Sequence, residues 1–339
     1  MNSIWPTTRV SRSGSGRASI LCIQTGRGVM TNAFRSFAPL PTIRKISNTT
    51  WPLNRYSDKK GYDPVFVDGA YALPLPGLDK WQGDVAPILE SARVAGADPS
   101  ELKYTHFSVR VSQSRRMPLY SAVNIDGSHS DRDTERTDVW RFDPRIDQRF
   151  QIMREVYGND RDGFFSRGHM TRREDPNWGD DPTTTEADAD TFHVTNAAPQ
   201  RQRFNAGIWL DLENYVLSNT DRENMRVAVI TGPIFSEDDP EYFEVKVPIA
   251  FWKIVVFRNS GTQQLTSIAY KRSQATFLPK ATRSTFNFGN FQDTQVPVTG
   301  LEEEIGLDLS VYADLDVLKG ADRRMEIALE DVSQIYLQA

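Results

Sequence analysis

Cysteine is almost absent from this chain. Cys22 is the only one in 339 residues, so there is no internal disulfide framework and no thiolate cage for a metal. Long apolar runs are also missing: nothing approaches the roughly 18–20 consecutive apolar residues of a membrane-spanning helix. There is no Walker loop, no G-x-G-x-x-G and no internal repeat, which removes the usual phosphate cradles and the solenoid folds. Two further gaps are local. Residues 1–50 contain no Asp or Glu, and residues 104–245 contain no lysine.

What is present describes a globular protein with a substantial core: 39% hydrophobic and 11% aromatic residues, seven of them Trp. The net charge is −5, unpromising for a polyanion partner until its distribution is read. Residues 1–50 carry seven cations, leaving 33 basic against 45 acidic residues over the rest, a net of −12. Any nucleic-acid site on residues 51–339 must therefore be a local basic patch. Thirteen arginines between Arg110 and Arg173 are the candidate. Arginine grips phosphate with a planar fork where lysine offers only a point charge. The competing reading pairs these arginines with the ten acids of the same stretch.

Residues 1–50 are expected to form a basic, disordered arm or targeting segment. Their only compact apolar run, Ala18 to Ile23, is too short for a secretory h-region. The acid-free, Ser- and Arg-rich bias resembles a mitochondrial transit peptide, and a start at Met30 is the other option. From Trp51 the chain reads as folded. Strand character is predicted for residues 104–112, 119–124, 225–231 and 264–270, and for 245–257 in two pieces split by Pro248. Helices are predicted near 84–96, 301–305 and 322–332. The hairpin-like spacing of the apolar runs favours an α+β fold, a mixed or antiparallel central sheet flanked by helices.

The informative segment is 164–217. Strand-like residues end at His169, a polar loop of about twenty residues follows, and a short strand is predicted from Thr191 to Thr195. Pro199 then precedes a helix over 202–217. Phe204, Ile208, Leu212 and Val216 recur every four residues as its core stripe, with Asn205, Trp209 and Glu213 one residue further round.

The pattern S-R-G-H, T-N-x-x-P-Q, N-x-x-x-W-x-x-L-E, carried by Arg167, Gly168, His169, Asn196, Pro199, Gln200, Asn205, Trp209, Leu212 and Glu213, resembles the sugar-non-specific DNA/RNA endonucleases, the endonuclease G-like family with a ββα-metal (His-Me finger) site. Weaker resemblance runs from about Tyr62 through Trp252, including NIDG (124–127), TGPIF (231–235) and VPIAFWK (247–253). The resemblance implies a metal-dependent endonuclease domain over 51–339 that takes DNA and RNA, with Mg²⁺ or Mn²⁺ as cofactor, no membrane partner and a homodimer left open. It implies that His169 is the general base, its tautomer fixed by a carbonyl near Thr191–Phe192, and that Asn205 is the direct metal ligand. Asn196 would act near the base and the phosphate, Arg167 would neutralise developing charge, and Arg136 and Arg141 are the guesses for a further phosphate clamp. Glu213 lies eight residues beyond Asn205, about 12 Å along a helix, so it takes an outer-sphere role. The sequence departs from the family pattern at Ser166, where an acid is usual, and at Leu217, where some relatives place an Arg.

Bland readings compete at several positions. His106 and His129 read as structural, and His193 as a surface residue or one behind the site. Trp178 and Trp209 read as packing residues, and Arg172, Arg173, Glu174 and Asp175 as a solvated ion-pair cluster. The alternative functions are a catalytically quiet nucleic-acid-binding relative and a hydrolase of small phosphodiesters.

Overall fold

A strand buried on both faces reads as an unbroken apolar run, and the strongest such run in this chain builds the centre of the sheet. The computed structural model describes residues 50–205, 208–278 and 293–329, without the side chains of Asp160, residues 205 and 208–212, and Asp293. The described strands are β1 Leu102–Lys103, β2 Phe107–Val111, β3 Pro118–Asp126, β4 Ser166–His169, β5 Ala197–Gln200, β6 Arg226–Ile234, β7 Glu241–Tyr242, β8 Val245–Lys246, β9 Ala250–Arg258, β10 Leu265–Ser273, β11 Asp293–Val296 and β12 Ile327–Ala328. The described helices are α1 Asp181–Thr191, α2 Gln202–Asn205, α3 Ile208–Arg222, α4 Val298–Ile305 and α5 Ser310–Asp314.

Eight strands form one sheet in the order β1-β2-β3-β6-β9-β10-β11-β12, and every pairing in it is antiparallel. The expected α+β fold is therefore realised in its antiparallel form. Pro248 splits the 245–257 run as predicted: β8 turns back on β7, while β9 enters the sheet between β6 and β10. Alternation along β9 sends Phe251, Val255 and Phe257 to one face and Trp252, Ile254 and Val256 to the other. The second face is closed by α4, α5 and the segment around Leu73–Leu78. The first face is closed by the insertion that carries the site.

That insertion has a simple origin. β3 ends with Asp126 opposite Arg226, the first residue of its neighbour β6. Between these two partners the chain leaves the sheet for residues 127–225 and returns to the same rung. Within the insertion β4 and β5 pair antiparallel, and α2 and α3 follow directly, giving a ββα unit. Met170, Ala198, Phe204, Val216 and Leu217 seat it on the apolar face of the sheet.

Four predicted elements differ. Residues 84–96 are not a helix, apart from one 3-10 turn at Glu90–Ala92. Their backbone donors serve distant partners instead, Ala86 to Val111 O, Ile88 to Pro99 O and Leu89 to Arg145 O. Residues 322–329 hold turns and β12 rather than a helix, and residues 330–332 lie outside the described residues. The second finger strand is Ala197–Gln200, because 191–195 ends α1 and enters a 3-10 turn at Val194–Asn196. Finally, the twenty-residue loop contains α1. Asp180 caps it by accepting from Thr183 N, with Pro182 in the first turn. Its buried face carries Asp188 and Asp190, held by Arg173 and Lys59, so it shows no apolar stripe. Residues 1–49 lie outside the described residues, and among those described no helix is long and apolar enough to cross a membrane.

Candidate active site

β4 sets the site's geometry. Period-2 alternation places Arg167 and His169 on one side of the strand and Gly168 on the other, against Gln200 of β5. A Cβ at Gly168 would lie 1.9 Å from Gln200 Oε1, so any other residue there would displace the buried Gln200 side chain. The glycine of S-R-G-H thus makes room for the glutamine of β5.

His169 sits in an aromatic corner. Trp140 tilts over its ring at 4.8 Å and Phe192 meets it edge-on at 5.2 Å. Nε2 is buried and has no hydrogen-bond partner among the described residues, while the residue as a whole is half-buried. Burial is the largest cause that pushes the imidazole pKa down, to about 3, with Arg136 and Arg173 adding to it. The ring is neutral at pH 7. The expected carbonyl tether is not the one found, because Thr191 O accepts from Asn196 and Phe192 O from Arg141. Two rings hold the imidazole in place of a carbonyl.

Asn196 is fully buried and fully engaged. Nδ2 donates to Thr171 O at 3.0 Å and Thr191 O at 3.1 Å, and Oδ1 accepts from Thr171 N at 2.9 Å. No donor is left for a phosphate, so its part is to lock the chain just after His169. Arg167 donates Nη2 to Met153 O and lies over the rings of Tyr157 and Trp140. Trp140 thereby touches both Arg167 and His169. Arg136 stands over Phe192 with its guanidinium 5.2 Å from the ring centre, on the exposed side of the same corner. Arg141 is a correction: it is buried, donates Nη1 to Ala189 O and lies over Trp51, so it is no phosphate clamp. At least nine of the thirteen run arginines hold carboxylates among the described residues, leaving the basic patch much smaller than composition suggested.

A charged cluster adjoins this corner. Glu213 Oε1 lies 3.3 Å from Lys253 Nζ, which also donates to Thr231 Oγ1 at 3.0 Å. Glu213 Oε2 has no hydrogen-bond partner among the described residues and is not fully buried. Asp175 is buried beside them, and burial pushes its carboxyl up to about 7 against the pull of Lys253 and Arg172, with Glu213 and Glu174 adding to the rise. The run 172–175 forms the expected ion pairs, Arg172 and Arg173 both holding Glu174, but it is part-buried with Asp175 enclosed, not fully solvated. It links the two halves: Arg173 acts on His169, and Arg172 on Asp175. Asn205 closes α2, and its side chain lies outside the described residues, as does that of Trp209. Ser166 occupies the first position of β4, opposite Gln200. Leu217 is wholly buried in the core, where an Arg would have no place.

The remaining histidines separate cleanly. His106 stacks on Trp178 at 3.4 Å and holds Pro176 O, and His129 is exposed beside Asp126. His193 is not a surface residue but completely buried, with Nδ1 on Asp190 O and Nε2 on Tyr56 OH, both at 2.8 Å. Trp140 was missed by the sequence reading, and Phe192, Asp175 and Lys253 were read there only as a backbone carbonyl, a solvated acid and part of a family motif. Only Lys253 left a signal, as a lone cation inside the apolar run of β9.

Residues 86–314 match the profile of the DNA/RNA non-specific endonucleases. An uncharacterized protein of Sinorhizobium fredii, y4fB, is 36% identical over 286 residues, 80% of this chain and 41% of its own. The mitochondrial nuclease EXOG of Danio rerio is 27% identical over 218 residues, 60% of this chain and 59% of its own. This chain thus spans only part of the length of each. A crystal structure of the EndoG/EndoGI complex, on the mechanism of EndoG inhibition, contains a chain similar at TM-score 0.47 and 22% identity, covering 65% of this chain and 88% of that one. The matched residues 86–314 include β4, β5, α3 and the corner around His169, and the chain belongs to the family of DNA/RNA non-specific endonucleases.

Proposed function

We propose that this protein is a divalent-metal-dependent endonuclease that hydrolyses phosphodiester bonds in both DNA and RNA, with His169 as general base. The observation that carries the reading is the state of His169: neutral, at the end of β4, between Trp140 and Phe192, with Nε2 lacking a hydrogen-bond partner among the described residues. A structural histidine is normally wired by its hydrogen bonds, whereas a base needs a free lone pair. His169 takes a proton from water, the oxygen attacks phosphorus, and the P–O3′ bond breaks to leave 5′-phosphate and 3′-hydroxyl ends. The negative charge of an arriving phosphate offsets Arg136 and Arg173, which raises the proton affinity of the ring at the moment a base is needed.

Arg167, fixed by Met153 O and lying over Trp140, the ring that also walls His169, would neutralise charge on the phosphate. Asn205 and Glu213 would hold the metal, Asn205 directly and Glu213 in the outer sphere. The open Glu213 Oε2 is a hard oxygen, the donor type that Mg²⁺ and Mn²⁺ prefer. The bound ion supplies positive charge at the scissile phosphate and its leaving oxygen. Nothing in this chemistry uses the ribose 2′-OH, so both sugars are accepted. Residues 1–50 are proposed as a targeting segment or a basic arm, outside the chemical step.

The test is digestion of matched DNA and RNA oligonucleotides under Mg²⁺, with and without chelator, and mass spectrometry of the ends. The expected result is chelator-sensitive cleavage of both, at rates within roughly a hundredfold, a spread below ~3 kcal/mol in barrier. Cyclic-phosphate RNA products beside intact DNA would refute the mechanism. Inertness towards both would favour the catalytically quiet nucleic-acid-binding relative.

A further inference from the structure

A lysine in the middle of a core strand needs a reason. Lys253 shares a sheet face with Phe251, Val255 and Phe257 and is almost completely buried. Burying an ammonium group costs several kcal/mol unless it is well paired, and an apolar residue of equal volume usually serves stability as well or better. Register supplies the reason. Ser121 of β3 lies opposite Thr231 of β6, and Thr231 opposite Lys253 of β9. The three form one polar rung, each almost fully buried, beside the apolar rung Val123–Val229–Val255. Each end of the rung reaches up to the ββα unit. Ser121 Oγ meets Thr171 Oγ1 at 2.5 Å, two residues after His169 and on the segment that Asn196 locks. Lys253 Nζ, steadied by Thr231 Oγ1, meets Glu213 Oε1 on α3.

We infer that Lys253 is a positioning residue for the metal, acting through Glu213 and registering that carboxylate against the strand that carries His169. The inference rests on the reading of Glu213 in the proposed function. With Oε1 fixed by Lys253, the carboxylate cannot rotate freely and presents Oε2 outward. Such outer contacts commonly govern metal affinity by 10- to 100-fold.

The test compares wild type with Lys253→Met, Lys253→Arg, Glu213→Gln and the Lys253→Met/Glu213→Gln double variant. Mn²⁺ binding is followed by electron paramagnetic resonance without nucleic acid, together with the Mg²⁺ dependence of cleavage and the melting temperature. Lys253→Met should weaken Mn²⁺ binding at least about tenfold and raise the Mg²⁺ needed for half-maximal cleavage in step. Lys253→Arg should recover most of that loss. The double variant should bind Mn²⁺ within about threefold of Glu213→Gln alone, since the two residues act as one unit. Lys253→Met that melts earlier yet binds Mn²⁺ as wild type does would make the lysine purely structural and overturn the inference. Multiplicative losses in the double variant would overturn it too. A wild type that binds Mn²⁺ but cuts nothing would refute the proposed function while the binding series still judges Lys253. A wild type that binds no Mn²⁺ would overturn both.

Discussion

Two histidines belong to the same insertion, His169 ending β4 and His193 just after α1, and they are wired in opposite ways. Both are neutral at pH 7, because burial pushes His169 down to about 3 and His193 down to about 4. His193 has both ring nitrogens satisfied and is boxed by Trp51, Tyr56 and Tyr104. His169 has comparable aromatic walls and an Nε2 without a hydrogen-bond partner among the described residues. Depressed basicity alone therefore does not mark a functional histidine. The satisfied ring is a building element, and the unsatisfied one retains a lone pair that chemistry can use.

The sharpest way to break this comparison is to delete each ring. His169→Ala should lower the cleavage rate by at least ~10²-fold, the usual worth of a positioned general base, with little change in melting temperature. His193→Ala should do the reverse. It leaves a cavity and strips Tyr56 OH of its buried partner, a loss of about 2–4 kcal/mol, while the folded fraction keeps its rate within about tenfold. Circular dichroism melts beside plasmid-cleavage rates measure both. If His193→Ala lost its rate without losing stability, the assignment of the two roles would be exchanged.

The difference was only half legible in the sequence. His169 could be found because its neighbours on β4 and α3 keep a spaced pattern, and local spacing survives in a one-dimensional reading. The same holds for the sheet: β9 and β10 declare themselves by apolar runs of strand length on either side of a turn. The setting of His193 could not be read. Its partners Tyr56 and Trp51 come from far upstream, and α1 hides its buried face behind Asp188 and Asp190. Helix detection by periodicity fails when buried acids are matched by cations from other segments, here Lys59 and Arg173. Arg141 was misjudged for the same reason, because nothing local says that its guanidinium will lie over Trp51.

A smaller effect follows from proton linkage. The unfolded chain protonates His193 near its ordinary value of about 6.5, whereas the folded chain resists until about pH 4. The folded state is thus favoured fully above pH 6.5 and loses that advantage as the pH falls towards 4, at up to about 1.4 kcal/mol per pH unit. Asp175 runs the other way, since the fold keeps it protonated up to about pH 7 and its burial penalises the fold as the pH rises from about 4. The wild-type curve is therefore a difference of opposed slopes, and only a pairwise comparison isolates His193. His193→Gln, which can keep both hydrogen bonds, should flatten the fall of stability between pH 6.5 and 4 in urea titrations. An unchanged slope would mean that His193 takes up a proton in the folded protein at its ordinary pH.

The smallest effect separates the two arginines once grouped as a phosphate clamp. Arg136 is half-exposed above Phe192 and lowers the proton affinity of His169, and its one carboxylate contact, to Asp138 at 3.3 Å, is a surface pair of little strength. Arg141 is enclosed and holds Ala189 O. Arg136→Ala should therefore remove about one phosphate contact, flattening the dependence of log binding constant on log salt by about 0.7–0.9. It should also shift the acid limb of kcat/KM to higher pH, because a cation that opposes protonation of His169 has gone. Arg141→Met should leave the salt slope unchanged and lower the melting temperature instead, since a buried carbonyl loses its donor. Binding measured between 50 and 200 mM salt, with His169→Ala as the uncleaving background, decides the matter. A flattened slope in Arg141→Met with none in Arg136→Ala would reverse the assignment and move the nucleic acid to the far side of Phe192.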